Sequence, residues 1–314
     1  MRIIPLTLAA GLLTGLLALS PATQPIPRRE FQPAAGNGRV AAFSATGNLL
    51  AVSGGTPAVA VFQTRTGLLL RTYAGHNQFV TDLAFAPHPD TVLSADAAGR
   101  VRLWSAESLT TLRRWQAPTP LLAVAFAPGG GQAVLASDRA CWLWDLRGTG
   151  AEPVLLKLVM PAKSAITAVT FGADGRQLAL GFDTGGALVY NFDSGTQTQK
   201  SFGTAAVCSL WLRADTLLAA TGTPDLKIWP VRPEAAAVLL PLPQKLLAVA
   251  AGPDGRALAL GFDTGEAMRW NRAANRADFV CRGQSPARRV QFQPDGELLL
   301  TTYDTGGPKT WLLE

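Results

Sequence analysis

Residues 290–311 read VQFQPDGELLLTTYDTGGPKTW. An apolar run ending at Phe292 meets the turn Pro294-Asp295-Gly296. A second apolar run follows, Asp304-Thr305-Gly306 reverses the chain again, and the segment closes on Trp311. The same plan stands 41 residues upstream, where residues 249–270 read VAAGPDGRALALGFDTGEAMRW. Proline presets φ for a tight turn and glycine supplies the positive φ that follows, so each segment predicts short antiparallel strands joined by hairpins.

The plan occurs seven times. Phe43, Phe85, Phe126, Phe171, Trp211, Ala251 and Phe292 precede the first turn, in steps of 40 to 45 residues. Further along each unit stand Phe62, Trp104, Trp144, Tyr190, Trp229, Trp270 and Trp311, in steps of 39 to 46. Two independent markers keep one period. Within GRVRLW, Val101 and Leu103 face one way and Arg100 and Arg102 the other, which is strand alternation. A small sheet of this kind cannot bury both faces alone, whereas seven arranged radially cover one another. The chain therefore predicts an all-β fold, a seven-bladed β-propeller of four-stranded antiparallel blades. Six or eight blades would follow if a terminal unit were misread.

At this point the sequence resembles the WD40-repeat family. Gly75-His76 precedes Trp104 by 28 residues, as a GH…WD unit would, and Trp144-Asp145 is the one literal Trp-Asp pair. The resemblance covers about Arg28 to Glu314. It implies an offset closure in which Arg28–Ala34 supplies the outermost strand of the last blade and pairs with Lys309–Leu313. The 292 residues from Thr23 onward give about 42 per blade, inside the usual repeat range of about 40–45. The family's Asp–His–Ser/Thr–Trp hydrogen-bonded tetrad looks incomplete. His76 and Trp104 match, but Ala98 stands six residues before the tryptophan, where the aspartate is sought. Rigidity is then expected from apolar packing, and His76→Ala is expected to cost only about 1 kcal/mol.

Composition narrows the chemistry. Hydrophobic residues make up 48% and charged residues 16%, which excludes wholesale disorder. Two histidines and three cysteines argue against most zinc, thiol and acid–base catalysis. Cys141, Cys208 and Cys281 lie in apolar runs at spacings that match no metal motif, and read as small buried hydrophobes. The net charge of +6 is scattered, so no nucleic-acid partner is expected. The cluster Arg269, Arg272, Arg276, Arg282, Arg288 and Arg289 is opposed locally only by Asp278 and reads as a solvated rim.

Residues 1–22, MRIIPLTLAAGLLTGLLALSPA, have a basic start, an apolar stretch and a small-residue exit. This is the layout of a secretory signal peptide, with an uncleaved anchor as the competing reading. Residues 23–314 form the propeller. The expected location is periplasmic or extracellular, with no membrane association beyond the signal segment.

Three Asp-Thr-Gly triplets begin at Asp183, Asp263 and Asp304, each seven residues before the late aromatic of its repeat. Alone the triplet suggests an aspartic protease, but in this position it is hairpin turn chemistry. No Gly-x-Ser-x-Gly elbow or phosphate loop occurs. The expectation is a non-catalytic protein-binding or scaffold propeller of the cell envelope, a monomer with no cofactor and no metal, acting on a protein or peptide. The competing class is an exported propeller enzyme, lactonase-like or quinoprotein-like, using carboxylates at the channel mouth. The resemblance places partner binding on one end of the ring. Asp96, Asp138, Asp183, Asp225, Asp263 and Asp304 come from the second hairpins, and His76, Asn77, Gln78, Lys163, Lys245 and Gln284 from the loops leading into the blades.

Overall fold

The fold is that of a computed structural model, which describes residues 25, 27–32, 38–87, 90–148, 150–232 and 234–313. The expected signal peptide lies outside the described residues, as do His88 and residues 33 and 34 of the expected closing segment.

Every strand belongs to one of seven four-stranded antiparallel sheets. Blade 1 is Val40–Phe43, Leu49–Ser53, Val59–Gln63 and Leu69–Tyr73. Blade 2 is Val80–Phe85, Thr91–Asp96, Arg100–Ser105 and Thr111–Gln116. Blade 3 is Ala123–Phe126, Gln132–Ala136, Cys141–Asp145 and the short Val154–Leu155. Blade 4 is Ile166–Phe171, Gln177–Phe182, Gly186–Asn191 and Gln197–Ser201. Blade 5 is Ser209–Arg213, Thr216–Ala220, Asp225–Pro230 and Val238–Pro241. Blade 6 is Leu246–Ala251, Ala257–Phe262, Glu266–Asn271 and Arg276–Arg282. Blade 7 takes Ala287–Phe292, Leu298–Tyr303 and Lys309–Leu312 from one part of the chain and Arg29–Glu30 from the other. The strands of a blade are called a to d in that order. The a strands of successive blades lie against one another and so mark the axis.

Closure follows the expected pairing. Arg29 stands opposite Thr310 and Glu30 opposite Lys309. The backbone N–H of Arg28 donates to the Thr310 carbonyl at 2.8 Å, and that of Phe31 to the Pro308 carbonyl at 2.9 Å. Phe31 then turns inward, 1% exposed, with its ring edge-on to Phe62 of blade 1 at 5.4 Å between centroids. The closing segment is thus held by a ladder and by an aromatic side chain seated in the gap between blades 7 and 1.

The b strands show how sequence sets the packing. In ALALGF of blade 6, Leu258, Leu260 and Phe262 pack with Leu218, Ala220 and Leu246 toward blade 5. The intervening Ala259 packs with Val290 and Leu299 of blade 7. Large residues on one face and small on the other let neighbouring sheets nest without voids. Gly261 is the limit of that pattern, since a Cβ there would lie 3.0 Å from both the Ala287 carbonyl oxygen and Val290 Cγ1. Apolar clusters of this kind occupy all seven gaps between neighbouring blades.

The Asp-Thr-Gly triplets sit in the b–c turns as expected. Gly265 has φ +87°, and a Cβ on it would stand 2.7 Å from the Ser285 carbonyl oxygen, so glycine is required twice over. The cysteines are a partial correction. Cys141 and Cys281 are buried, but Cys208 is exposed. It precedes the a strand of blade 5 in a loop whose next inward-facing group, Val207, fills the core instead.

Phe31→Ala is expected to lower the unfolding free energy by about 3 kcal/mol, because it empties a pocket that the ring fills and loosens the closing ladder. Urea denaturation followed by tryptophan fluorescence would measure it.

Candidate functional site

In an up-and-down blade, the b–c turn and the loop leading into strand a lie at the same end. The structure ties the two together by hydrogen bonds. In blade 4 the Ala165 N–H donates to Asp183 Oδ1 at 2.7 Å, and the Asp183 N–H donates to the Ala165 carbonyl at 2.9 Å. In blade 6 the Asp263 N–H donates to the Lys245 carbonyl at 3.1 Å, and Gln244 bonds Thr264 Oγ1 and Glu266. In blade 7 the Thr305 N–H donates to Ser285 Oγ at 3.0 Å. Neighbouring blades are also joined, since the Ile166 N–H of blade 4 donates to the Asp138 carbonyl of blade 3 at 2.7 Å. By topology the twelve positions lie on these turns and loops, and the bonds tie together those that carry Asp138, Asp183, Lys245 and Asp263.

Their side chains fall into three groups. Asn77, Gln78, Asp138, Lys163, Asp183, Lys245 and Gln284 are exposed. Lys163 holds φ +58°, a left-handed turn conformation unusual for a residue with a side chain. Asp225, Asp263 and Asp304 are half-buried. Asp225 pairs with Lys227 Nζ at 2.7 Å, and Asp304 accepts two bonds from Arg288 Nε at 3.0 Å and one from Nη2 at 2.8 Å. His76 and Asp96 form the third group and are corrections, because both side chains are fully buried and neither can meet a partner.

They are buried because the tetrad is complete in blade 2. His76 Nδ1 lies 3.1 Å from Asp96 Oδ2, and Nε2 lies 2.7 Å from Ser94 Oγ. The Trp104 indole N–H donates to Ser94 Oγ at 3.1 Å. The aspartate stands eight residues before the tryptophan, at the end of strand b, rather than at the turn position of Ala98. From there its other oxygen accepts the N–H groups of Ala98 and Arg100 at 2.9 and 3.0 Å and so fixes the turn. The expectation that the network is incomplete and packing alone stiffens this blade is overturned. Blade 7 builds a related chain without histidine, in which the Trp311 indole N–H donates to Thr301 Oγ1 at 2.8 Å and Thr301 Oγ1 bonds the Tyr303 hydroxyl at 2.9 Å. Blade 5 has alanine, Ala219, at the Ser94 position, and its Trp229 indole nitrogen is buried with no partner among the described residues.

The basic cluster is also paired more than its local sequence indicates. Arg269 bonds Asp278 at 2.6 Å, Arg282 bonds Glu266, and Arg289 reaches Asp82 at 2.7 Å. Asp82 belongs to strand a of blade 2, and its other oxygen accepts the Val124 N–H of blade 3 at 2.9 Å. Arg289 is in strand a of blade 7, so the pair passes over blade 1 near the axis. Sequence reasoning could not reach this contact, since its partners are 207 residues apart. Among the described residues no group of three histidine, cysteine, aspartate or glutamate side chains converges as a metal site would.

His76→Ala is expected to cost about 2–3 kcal/mol, since it strands the Asp96 carboxylate and Ser94 in the interior. Conversely, Ala219→Ser offers Trp229 an acceptor and is expected to add up to about 1 kcal/mol. Burial lowers the His76 pKa below the ordinary value of 6.5, against a smaller upward pull from Asp96. The unfolded chain then binds the proton more readily than the folded one. Stability contributed by neutral His76 is present above pH 6.5 and is lost as pH falls toward the folded-state value. Chemical denaturation between pH 7.5 and 5 should show that slope, and His76→Gln should flatten it.

Comparison with known proteins agrees with this geometry. Residues 67–105 match the family profile described as WD40: WD domain, G-beta repeat. The β-propeller domain of Myceliophteria thermophila Cps50 (Swd1) superposes with a TM-score of 0.77 at 18% identity, over 92% of this chain and 100% of that one. Among curated proteins, Protein tipD of Dictyostelium discoideum is 25% identical over 159 residues, 50% of this chain and 25% of its own length. Pre-mRNA-processing factor 19 of Caenorhabditis elegans is 26% identical over 51% of this chain and 32% of its own. Eukaryotic translation initiation factor 3 subunit I of Candida albicans is 25% identical over 49% of this chain and 47% of its own. The chain thus spans from a quarter to about half the length of these relatives.

Proposed function

Taking as premise that this chain is a WD40-repeat β-propeller of seven blades, we propose that it is a non-catalytic binding scaffold of the cell envelope. It is exported by residues 1–22 and engages a protein or peptide through the end of the ring that carries the b–c turns. The observation that carries this reading is the bonding of those turns to the loops beside them. Asp183, Asp263 and Ser285 are held by bonds that fix backbone position while Asn77, Gln78, Asp138, Lys163, Lys245 and Gln284 stay open to solvent. A preformed surface loses little entropy on binding. The name of the initiation factor relative describes a subunit, which is in keeping with work inside an assembly.

The aspartates do not favour the enzyme alternative. Asp96 is enclosed with His76, Asp225 and Asp304 are paired with Lys227 and Arg288, and Asp183 accepts the Ala165 N–H of the loop leading into strand a. These four carboxylates are already engaged by groups of the protein itself.

Two measurements test the proposal with the full chain. Mass spectrometry of the protein from a cell-envelope fraction should give an N-terminus at Thr23. Intact Met1 in a cytosolic fraction would remove the envelope assignment. Cross-linking in cells should capture a protein partner, and Asp138→Lys combined with Asp263→Lys should reduce that capture at least about tenfold. Unchanged capture would exclude this end of the ring.

A further inference from the structure

The outer rim of blade 2 carries an arrangement that the ring itself does not use. Strands c and d of this blade place Arg102 directly opposite Arg114, and Arg100 directly opposite Gln116. Like charges facing each other across a strand pair are destabilising unless something negative lies between them. Several other arginines find carboxylates, as Arg147 does with Asp145, Arg269 with Asp278 and Arg288 with Asp304. Arg100, Arg102 and Arg114 pair with none among the described residues. Arg102 bonds only the Gly75 and Val101 carbonyls.

These three arginines line one cleft together with Trp115, Gln116 and Glu152. The cleft continues along strand d into a second hollow bounded by Leu112, Trp115, Trp144 and Pro153. Leu112 is 54% exposed, a large apolar side chain left in water beside the guanidinium groups. Strand d is the outermost strand of its sheet, with no strand paired on its far side. Arginine and tryptophan around a hydrophobic hollow is the composition of interface centres, and an open strand edge accepts extended peptide backbone.

We propose that the rim of blade 2 docks an acidic peptide segment of a partner protein, one whose carboxylates engage Arg100, Arg102 and Arg114 and whose neighbouring apolar side chain covers Leu112 and Trp115. Guanidinium groups recognise carboxylates through paired N–H donors, so a peptide bearing two or more would relieve the Arg102–Arg114 repulsion on binding. Glu152, which lines both hollows, disfavours a uniformly acidic chain there. The inference rests on the protein-binding reading above and adds to it a second surface and the chemistry of what binds there.

The test uses the full chain and a fluorescein-labelled peptide of alternating glutamate and leucine, followed by fluorescence anisotropy. Binding is expected, weakening as salt rises, with Arg100→Glu plus Arg114→Glu reducing affinity at least about tenfold. The same peptide with glutamine in place of glutamate should bind at least about tenfold more weakly. Should the double variant fail to fold by circular dichroism, Arg114→Gln alone is expected to cost about fivefold. No binding at up to about 1 mM peptide, equal binding by the variants, or equal binding of the glutamine peptide would each overturn the proposal. The double variant also separates the two readings. If it still captures the cellular partner that wild type captures and wild type does not bind the peptide, the rim site fails and the scaffold stands. If wild type captures no partner, the scaffold reading fails independently of the peptide result.

Discussion

A four-stranded sheet that is apolar on both faces has no stable existence alone in water, and every part of this protein follows from that constraint. Each blade offers one face to the blade before it and the other to the blade after it. In blades 4 and 6 a large–small alternation along strand b sets how closely they meet, as Leu258, Leu260 and Phe262 on one side of blade 6 and Ala259 on the other show. Burial of each such leucine or phenylalanine stabilises by about 1.5–3 kcal/mol, so the gaps together outweigh any single hydrogen-bond network. A radial stack leaves two unsatisfied faces unless it closes, and closure is what Arg29–Glu30 and Phe31 provide.

Polar order is laid over this apolar frame unevenly. Blade 2 has the full His76–Asp96–Ser94–Trp104 chain, blade 7 replaces histidine with the Tyr303 hydroxyl, and blade 5 leaves its Trp229 nitrogen without an acceptor among the described residues. Blades 4 and 6 put Phe182 and Phe262, both fully buried, where blade 2 has Asp96. One position is thus filled by three different solutions. Degeneracy of the repeat is tolerated because packing carries the fold and the network only tunes it.

Much of this was legible in the residues themselves. The Phe85 and Trp104 series gave the period, and the Pro-Asp-Gly turns gave the hairpins. The spare segment around Arg29 gave the closure, because these signals are local or repeat at a constant interval. What the residues alone do not mark depends on registry or on distance. Asp96 was sought at the turn, whereas its role requires the strand end beside His76, two residues earlier. Asp82 and Arg289 meet only because the ring curls, and no local pattern marks either as the other's partner. Cys208 sits in an apolar run yet is exposed, since it lies in the loop before strand a of blade 5, where the neighbouring Val207 takes the core position. The shared end of the twelve loop positions was legible from topology, but whether each side chain is open, capped or paired was not.

The closing pair has a consequence for how the molecule comes into being. Arg29 and Thr310 are roughly 280 residues apart along the chain. The equilibrium penalty for joining such distant points grows only logarithmically with their separation, yet the wait for them to meet lengthens. Six sheets are contiguous in sequence and can assemble in order during synthesis, while the seventh stays three-stranded until the first-made segment returns to it. For that interval the nascent ring is an open horseshoe with two sticky ends. Phe31, whose neighbours come from blades 1 and 7, reaches its full burial only once that segment has returned.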